Sequence, residues 1–494
     1  MTSLAEDFIT LDQFKVDTSR HEKRNGSFLK TSSATEVLER SNFGDFPVSA
    51  PDVWRRSARR FHGYAVMQLS GEAQKTASYI GESYCLPDAP LCATCPISKF
   101  CDFARNMTNT ENATPFVDLF CGGGGLSLGM ERAGFRPIFA VDTDAAACDT
   151  YLFNRPELAE SDVFRGGISE ALERSMIPQS AVVVGGPPCQ GFSNANRQRL
   201  SDDPRNILYR EYIRALKVSD AQIALMENVV GIAKNLDKMV EDFREIGFDI
   251  FPFTLNAKNF GFPQNRNRVF ILCVRSIGNR ASLSVRDVFY RRLNLSLKAT
   301  KHQQFTLSDA IRDLPVVAAK SVRNASSLEN EEFGFTVAAS TTNQRNDYVN
   351  LINGEIAFPF VLNHRSKYNN PRDIEIFSRL KPGEKSDADS IKDIMPYANR
   401  QHIFKDKFFR LRNDFPAKTI TAHMYYDCHM YIHPEQARGL TPREAARVQG
   451  FPDDYLFLGY PNEWYRQIGN AVSPLVGFEV AQALMESAEY MGVA

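Results

Sequence analysis

The chain has 494 residues, enough for more than one domain with its own core. Its 58 basic and 59 acidic side chains leave a formal net charge of −1, so no global basic field exists and any surface for a polyanion is local. No apolar run reaches membrane-spanning length, and the opening "MTSLAEDFITLDQF" is too acidic and too broken for a secretory signal.

Residues 1–50 are polar and irregular. Residues 51–101 carry the basic run "WRRSARR" (54–60) and four of the nine cysteines, Cys85, Cys92, Cys95 and Cys101. The other five are scattered, which fits a reducing compartment with one metal-type cluster better than a disulfide framework. "NMTNTENAT" (106–114) reads as a linker. From 116 to about 275, short apolar runs alternate with helix-length segments, the signature of a parallel α/β sheet. The expected strands are 116–120, 138–141, 181–184, 223–226 and 269–274. The pattern fades until about 436, then returns with "LTPREAARVQGF" and a last amphipathic helix near 474–490.

The residues after the first four strands are chemically pointed. "FCGGGG" (120–125) follows the first, Asp142 the second, "GGPPC" (185–189) the third and "EN" (227–228) the fourth. In open α/β sheets ligands bind beyond the carboxyl ends of strands, so these four ends should border one crevice. A glycine turn opening a helix, with an acid about 20 residues on, indicates a nucleoside-containing cofactor with the acid on its ribose. No G-x-x-x-x-G-K-[ST] sequence is present to cradle a triphosphate. Prolines make the third turn rigid and extended, and its glycines allow close approach, so Cys189 is presented as a nucleophile. Glu227, at the neighbouring strand end, is a candidate proton donor.

Six segments, in order, resemble the motifs of the cytosine-C5 DNA methyltransferase family: "DLFCGGGGLSLGME", "GGPPCQGFS", "ENV", "QNRNRVF" (264–270), "LTPREAARVQGFPDDY" (440–455) and "QIGNAVSP" (467–474). The resemblance covers about residues 115–494. It implies an α/β, S-adenosylmethionine-dependent (Rossmann-like) methyltransferase domain with a mixed, mainly β target-recognition domain. The expected layout is an N-terminal α module with the metal cluster (1–110), catalytic and cofactor-binding residues (115–275), target recognition (276–436) and a return to the catalytic domain (437–494). The implied activity is methyl transfer to carbon 5 of cytosine in a specific duplex DNA sequence, in a restriction–modification or related marking system. An RNA (tRNA) substrate and a catalytically silent DNA-binding regulator are the alternatives. Carried onto this chain, the resemblance assigns Asp118, Phe120, Gly122, Gly124, Asp142, Pro188, Asn470 and Val472 to cofactor binding. It assigns Cys189, Glu227, Arg266 and Arg268 to catalysis. Two positions depart from the family: Gly167 stands where an acid usually follows glycine, and Thr143 where a large side chain often flanks the ribose acid.

Carbon 6 of cytosine is out of reach in a stacked duplex, so the base must be flipped out. "SNANRQRLSDDPRNILYR" (193–210) is polar, carries four arginines and is expected to be a loop closing over DNA, with Arg197 and Arg199 near phosphates. "HMYYDCHMYIH" (423–433) alternates aromatic and polar residues and is expected to be a β-strand rather than a metal site. The spacing C-x6-C-x2-C-x5-C at 85–101 resembles the [4Fe–4S] loop of endonuclease-III-like DNA glycosylases, so a [4Fe–4S] cluster is expected there, with zinc as the alternative. The expected partners are double-stranded DNA and a cognate restriction endonuclease, with no membrane. A monomer in a prokaryotic cytoplasm, associated with the nucleoid, is the expected state.

Overall fold

The computed structural model describes residues 71–83, residue 85 and residues 113–494, except 156, 189–206, 277–278, 301, 324–327, 340–345, 355–359 and 397–406. Helix α1 (Gly71–Ser83) is followed by Cys85, which is buried and donates its N–H to the Ile80 carbonyl at 2.7 Å. Cys92, Cys95, Cys101 and the basic run 54–60 lie outside the described residues.

The α/β region then runs β1 (Thr114–Leu119), α2 (Gly125–Arg132), β2 (Phe135–Asp142), α3 (Ala145–Phe153), β3 (Val163–Arg165), α4 (Ile168–Glu173), β4 (Val182–Gly185), α5 (Ile207–Val218), β5 (Ile223–Asn228), α6 (Leu236–Glu245), β6 (Phe248–Asn256), β7 (Gln264–Asn265) and β8 (Asn267–Arg275). Seven strands form one sheet in the order β3-β2-β1-β4-β5-β8-β6. The central strands β4 and β5 are buried throughout, as strands covered on both faces must be. Alternate residues feed two cores. Phe116, Val182, Val184, Ile223 and Leu225 face one side; Val117, Leu119, Val183, Ala224 and Met226 face the other.

All five expected strands exist, but β8 (269–274 in the sequence reading) is antiparallel to β5 and β6. Its apolar run reads the same in either direction, so the pattern could not show this. β6 went unread because Pro252 interrupts it; β6 is the edge strand, where proline is tolerated. β1 begins at Thr114, inside the stretch read as linker.

Beyond β8 come α7 (Asn279–Ala299), α8 (Leu307–Ile311), β9 (Gly334–Ala339), α9 (Asp347–Asn353), β10 (Phe360–Arg365), α10 (Pro371–Arg379) and β11 (Ala417–Lys418). The expectation of a mainly β region at 276–436 is corrected here: among the described residues its strands are the antiparallel β9–β10 pair and the two-residue β11, which joins β7. α7 is helical because Val285, Phe289 and Leu293 recur every four residues and are all buried. Residues 423–433 are likewise not a strand. A short 3-10 turn covers Ala422–Tyr425, and the buried residues are Met424, Cys428, Tyr431, Ile432 and His433, a spacing far from two. The expected loop 193–210 ends sooner than read, since Ile207 already opens α5, whose Tyr212 and Leu216 are fully buried.

The chain closes with α11 (Pro442–Gln449), α12 (Pro461–Asn470) and α13 (Pro474–Met491). α13 packs on α2 and α7. The crossing with α2 is close: a Cβ added at Gly129 would lie 2.5 Å from the Gly477 carbonyl carbon. No helix among the described residues is long and apolar enough to cross a membrane.

Candidate active site

The ends of β1, β2, β4 and β5 do meet. Past β1 the backbone turns left-handed at Phe120 (φ 60°), Gly122 (φ 52°) and Gly124 (φ 81°). Phe120 has a side chain and still adopts this conformation, a local strain that the surrounding contacts must sustain. Asp142, at the end of β2, accepts from the Gly122 N–H at 2.9 Å and from the Asp144 N–H at 2.8 Å. Burial raises its pKa, and those two donors pull it back. A Cβ at Gly122 would meet nothing within 4 Å, so the turn presents open space beside a half-buried carboxylate. A nucleoside with free ribose hydroxyls fits that donor set and that cradle.

The final motif lies against this turn. A Cβ on Gly125 would sit 2.4 Å from the Val472 carbonyl oxygen, so only glycine allows the contact. Val472 is buried and Asn470 is exposed. Asp118 is 2 % exposed and lies beneath the turn, accepting a hydrogen bond from the Ser127 hydroxyl. Its carboxyl is pushed up to about 7 by burial. Among the departures from the family pattern, Thr143 is exposed and a Cβ at Gly167 would meet nothing within 4 Å.

Glu227 is 9 % exposed at the end of β5. Burial raises its pKa against the opposing pull of Arg268 and Arg266. Arg268, on β8, pairs with it at 2.9 Å (Nε to Oε1). The antiparallel register sets Glu227 beside Phe270, so Arg268 reaches back across the strand end. Arg266 is buried and faces elsewhere: it donates to the carbonyls of Ile420 at 2.6 Å, Ala471 at 2.8 Å and Gly469 at 3.2 Å. Burial, then the charge of Arg268, pushes its pKa down to about 9. Arg266 thus ties the strand end to the segment after β11 and to the end of α12.

The third turn is tied to the same place. The Asn228 amide donates to the Pro187 carbonyl at 2.9 Å, and a Cβ at Gly186 would be 3.3 Å from Glu227 Oε2. Pro188 is exposed at the last described position of this turn. Cys189, Arg197 and Arg199 lie outside the described residues. Three further residues shape the site although the sequence assigns them no role: Asn228, Arg155 and Tyr455. Asn228 carries a signal, since it adjoins Glu227. Arg155 carries none, because it is a lone arginine just past α3 that finds its partners only on folding. Among the described residues no group of three or more His, Cys, Asp or Glu side chains could hold a metal ion.

Comparison with known proteins agrees with this geometry. A family model described as C-5 cytosine-specific DNA methylase matches residues 114–486. The type II methyltransferase M.DdeI of Desulfomicrobium norvegicum is 31% identical over 401 residues, covering 75% of this chain and 87% of its own. The type II methyltransferase M1.HphI of Haemophilus parahaemolyticus is 29% identical over 401 residues, covering 79% and 90%. A crystal structure of an Escherichia coli prophage protein, described as a DNA modification methyltransferase, superposes with a TM-score of 0.55 at 25% identity, over 76% of this chain and 100% of that one. The chain therefore belongs to the C-5 cytosine-specific DNA methylase family and is a DNA methyltransferase.

Proposed function

We propose that Cys189 and Glu227 carry out covalent methyl transfer to carbon 5 of a flipped-out cytosine, with Arg268 and Arg266 organising the acid. The observation that carries this reading is the buried Glu227–Arg268 pair, joined through Asn228 to the rigid turn that leads into Cys189. The Cys189 thiolate adds to carbon 6, forming a sulfur–carbon bond and shifting the ring's electron pair to carbon 5. An ordinary cysteine has a pKa of about 8.5, so a positive neighbourhood must favour the thiolate. Charge builds toward N3 as the thiolate adds, and Glu227, kept protonatable by burial, donates or holds the proton there. Arg268 steadies the Glu227 carboxyl and aids the ring oxygen. After carbon 5 is methylated its proton passes to water, the sulfur–carbon bond breaks and the Cys189 thiolate is regenerated.

S-adenosylmethionine, when bound, supplies the electrophilic sulfonium methyl. Phe120, Gly122 and Gly124 form its turn, Asp142 takes the ribose hydroxyls, and Pro188, Asn470 and Val472 border the methionine end. Asp118 serves from beneath, through Ser127. Flipping costs a few kcal/mol, which is a reason for arginines such as Arg197 and Arg199 to hold the opened duplex. Residues 276–436 carry target recognition, centred on about 315–410, between the 115–275 catalytic stretch and its return at 437–494. The names of the relatives support a place in a type II restriction–modification system with a cognate endonuclease. The enzyme acts as a monomer in the prokaryotic cytoplasm and at the nucleoid. The N-terminal module, residues 1–110, holds a [4Fe–4S] cluster through Cys85, Cys92, Cys95 and Cys101. This rests on spacing alone, and iron and zinc analysis of anaerobically purified protein decides it.

The test of the main reading is a trap. DNA carrying 5-fluorocytosine should form a covalent adduct with the wild-type chain, because fluorine cannot leave carbon 5 as a proton does. Cys189→Ser should give neither adduct nor turnover while still binding DNA. Turnover retained by the serine variant would overturn the assignment.

A further inference from the structure

The glycine-rich turn is held from below by a buried cation to which no catalytic step assigns a role. Arg155, two residues past the end of α3, is 1% exposed. Its guanidinium donates to Glu131 through Nε (2.8 Å) and Nη2 (2.9 Å), and to the Gly124 carbonyl through Nη2 at 3.0 Å. Nη1 donates to the Tyr455 hydroxyl at 3.1 Å and to the Tyr151 carbonyl at 3.2 Å. The Arg155 guanidinium also stacks 3.9 Å from the centre of the Tyr151 ring. Tyr455 comes from the far end of the chain, and its own hydroxyl donates a hydrogen bond to the Gly123 carbonyl. Two successive carbonyls of the turn thus accept from side chains that lie 31 and 332 residues away, and the Gly124 carbonyl, which also takes the Leu128 N–H at 2.9 Å, is held by both.

In a trans peptide the next N–H points opposite to the carbonyl. Pulling the Gly124 carbonyl down therefore turns the Gly125 N–H outward, and as the first residue of α2 it has no partner within the helix. The clamp also explains why position 124 is glycine: a Cβ there would lie 2.5 Å from Arg155 Nη1 and 2.8 Å from the Tyr455 hydroxyl. Glu131 neutralises the cation, which a buried guanidinium requires.

We infer that Arg155 and Tyr455 are positioning residues that set the conformation of the glycine-rich turn, and through it affinity for the nucleoside cofactor rather than the rate of methyl transfer. The inference rests on the cofactor reading above. Neither side chain hydrogen-bonds to Glu227, which pairs with Arg268, or to Pro187, which accepts from Asn228, so the effect should fall on binding.

The experiment compares wild type, Tyr455→Phe, Arg155→Lys and the double variant as full-length proteins. It measures S-adenosylmethionine binding by calorimetry, ligand-free melting, and steady-state kinetics. Loss of one neutral hydrogen bond predicts about fivefold weaker cofactor binding for Tyr455→Phe; loss of several charged ones predicts about thirtyfold for Arg155→Lys. The value of kcat at saturating cofactor should stay within about twofold and KM for DNA should not move, since chemistry and duplex contacts lie elsewhere. The double variant should weaken binding by less than the product of the two, because the residues share one hydrogen bond. A lower melting temperature in both single variants with wild-type cofactor affinity would overturn the inference and leave only a structural role. Tyr455→Phe is the mildest change and keeps the test decisive if the lysine variant does not fold. If the wild-type chain itself takes up no S-adenosylmethionine, the cofactor reading fails first and this inference with it.

Discussion

Replacing Arg268 by methionine should expose the electrostatics of the site without DNA or cofactor. The variant leaves the Glu227 carboxylate buried, with its side chain 11% exposed, and removes a cation 2.9 Å away. With charge centres about 4 Å apart and an effective dielectric near 20, the lost attraction is about 4 kcal/mol. Arg266 remains nearby and offsets part of that, so a net loss of about 2–3 kcal/mol and a further rise in the Glu227 pKa are expected. A carboxyl whose folded pKa is raised lends stability that is present below its unfolded pKa and is lost as pH rises through the folded one. The variant should therefore lose little stability against wild type near pH 5 and about 2–3 kcal/mol near pH 8. Urea unfolding followed by tryptophan fluorescence at both values measures this, and Arg268→Met combined with Glu227→Gln should abolish the difference between them. An equal loss at pH 5 and pH 8 in the single variant would show that the two side chains do not interact as charges, and would refute the reasoning.

Gly186→Ala places a methyl group 3.3 Å from Glu227 Oε2, so the carboxylate must shift by a few tenths of an ångström. Turnover should fall about tenfold with cofactor affinity unchanged, as measured by radiolabelled methyl transfer alongside calorimetry. Asp118, raised to about 7 by burial, should make wild-type stability decline between about pH 4 and pH 7, by as much as about 4 kcal/mol. Asp118→Asn, followed by urea unfolding across that range, should flatten the decline. Gly167→Asp restores the acid that the family pattern carries, at a position with ordinary backbone angles (φ −73°, ψ 145°) and open space for its Cβ. It should tighten S-adenosylmethionine binding by about three- to tenfold, the worth of one added hydrogen bond; unchanged affinity by calorimetry would show that Gly167 does not face the adenine.

The sequence by itself determined the α/β alternation, the strand ends and the family. Each of these is written locally: apolar runs bounded by glycine and proline, and reactive residues within a few positions of a strand end. "FCGGGG", Asp142 and Glu227 were legible for that reason, and the structure brings them to neighbouring strand ends. Tertiary structure alone decided the direction of β8, because an apolar strand reads alike both ways. It also decided that 423–433 is not a strand, since burial there follows the packing of the segment along α12 rather than its aromatic alternation. The Arg155–Tyr455 clamp was out of reach of any reading of the chain. Its partners stand 300 residues apart, and an arginine just past a helix looks like surface until folding removes the water around it. The raised pKa of Glu227 belongs to the same class: residue type supplies the carboxyl, but only burial, against the pull of Arg268 and Arg266, sets where it titrates.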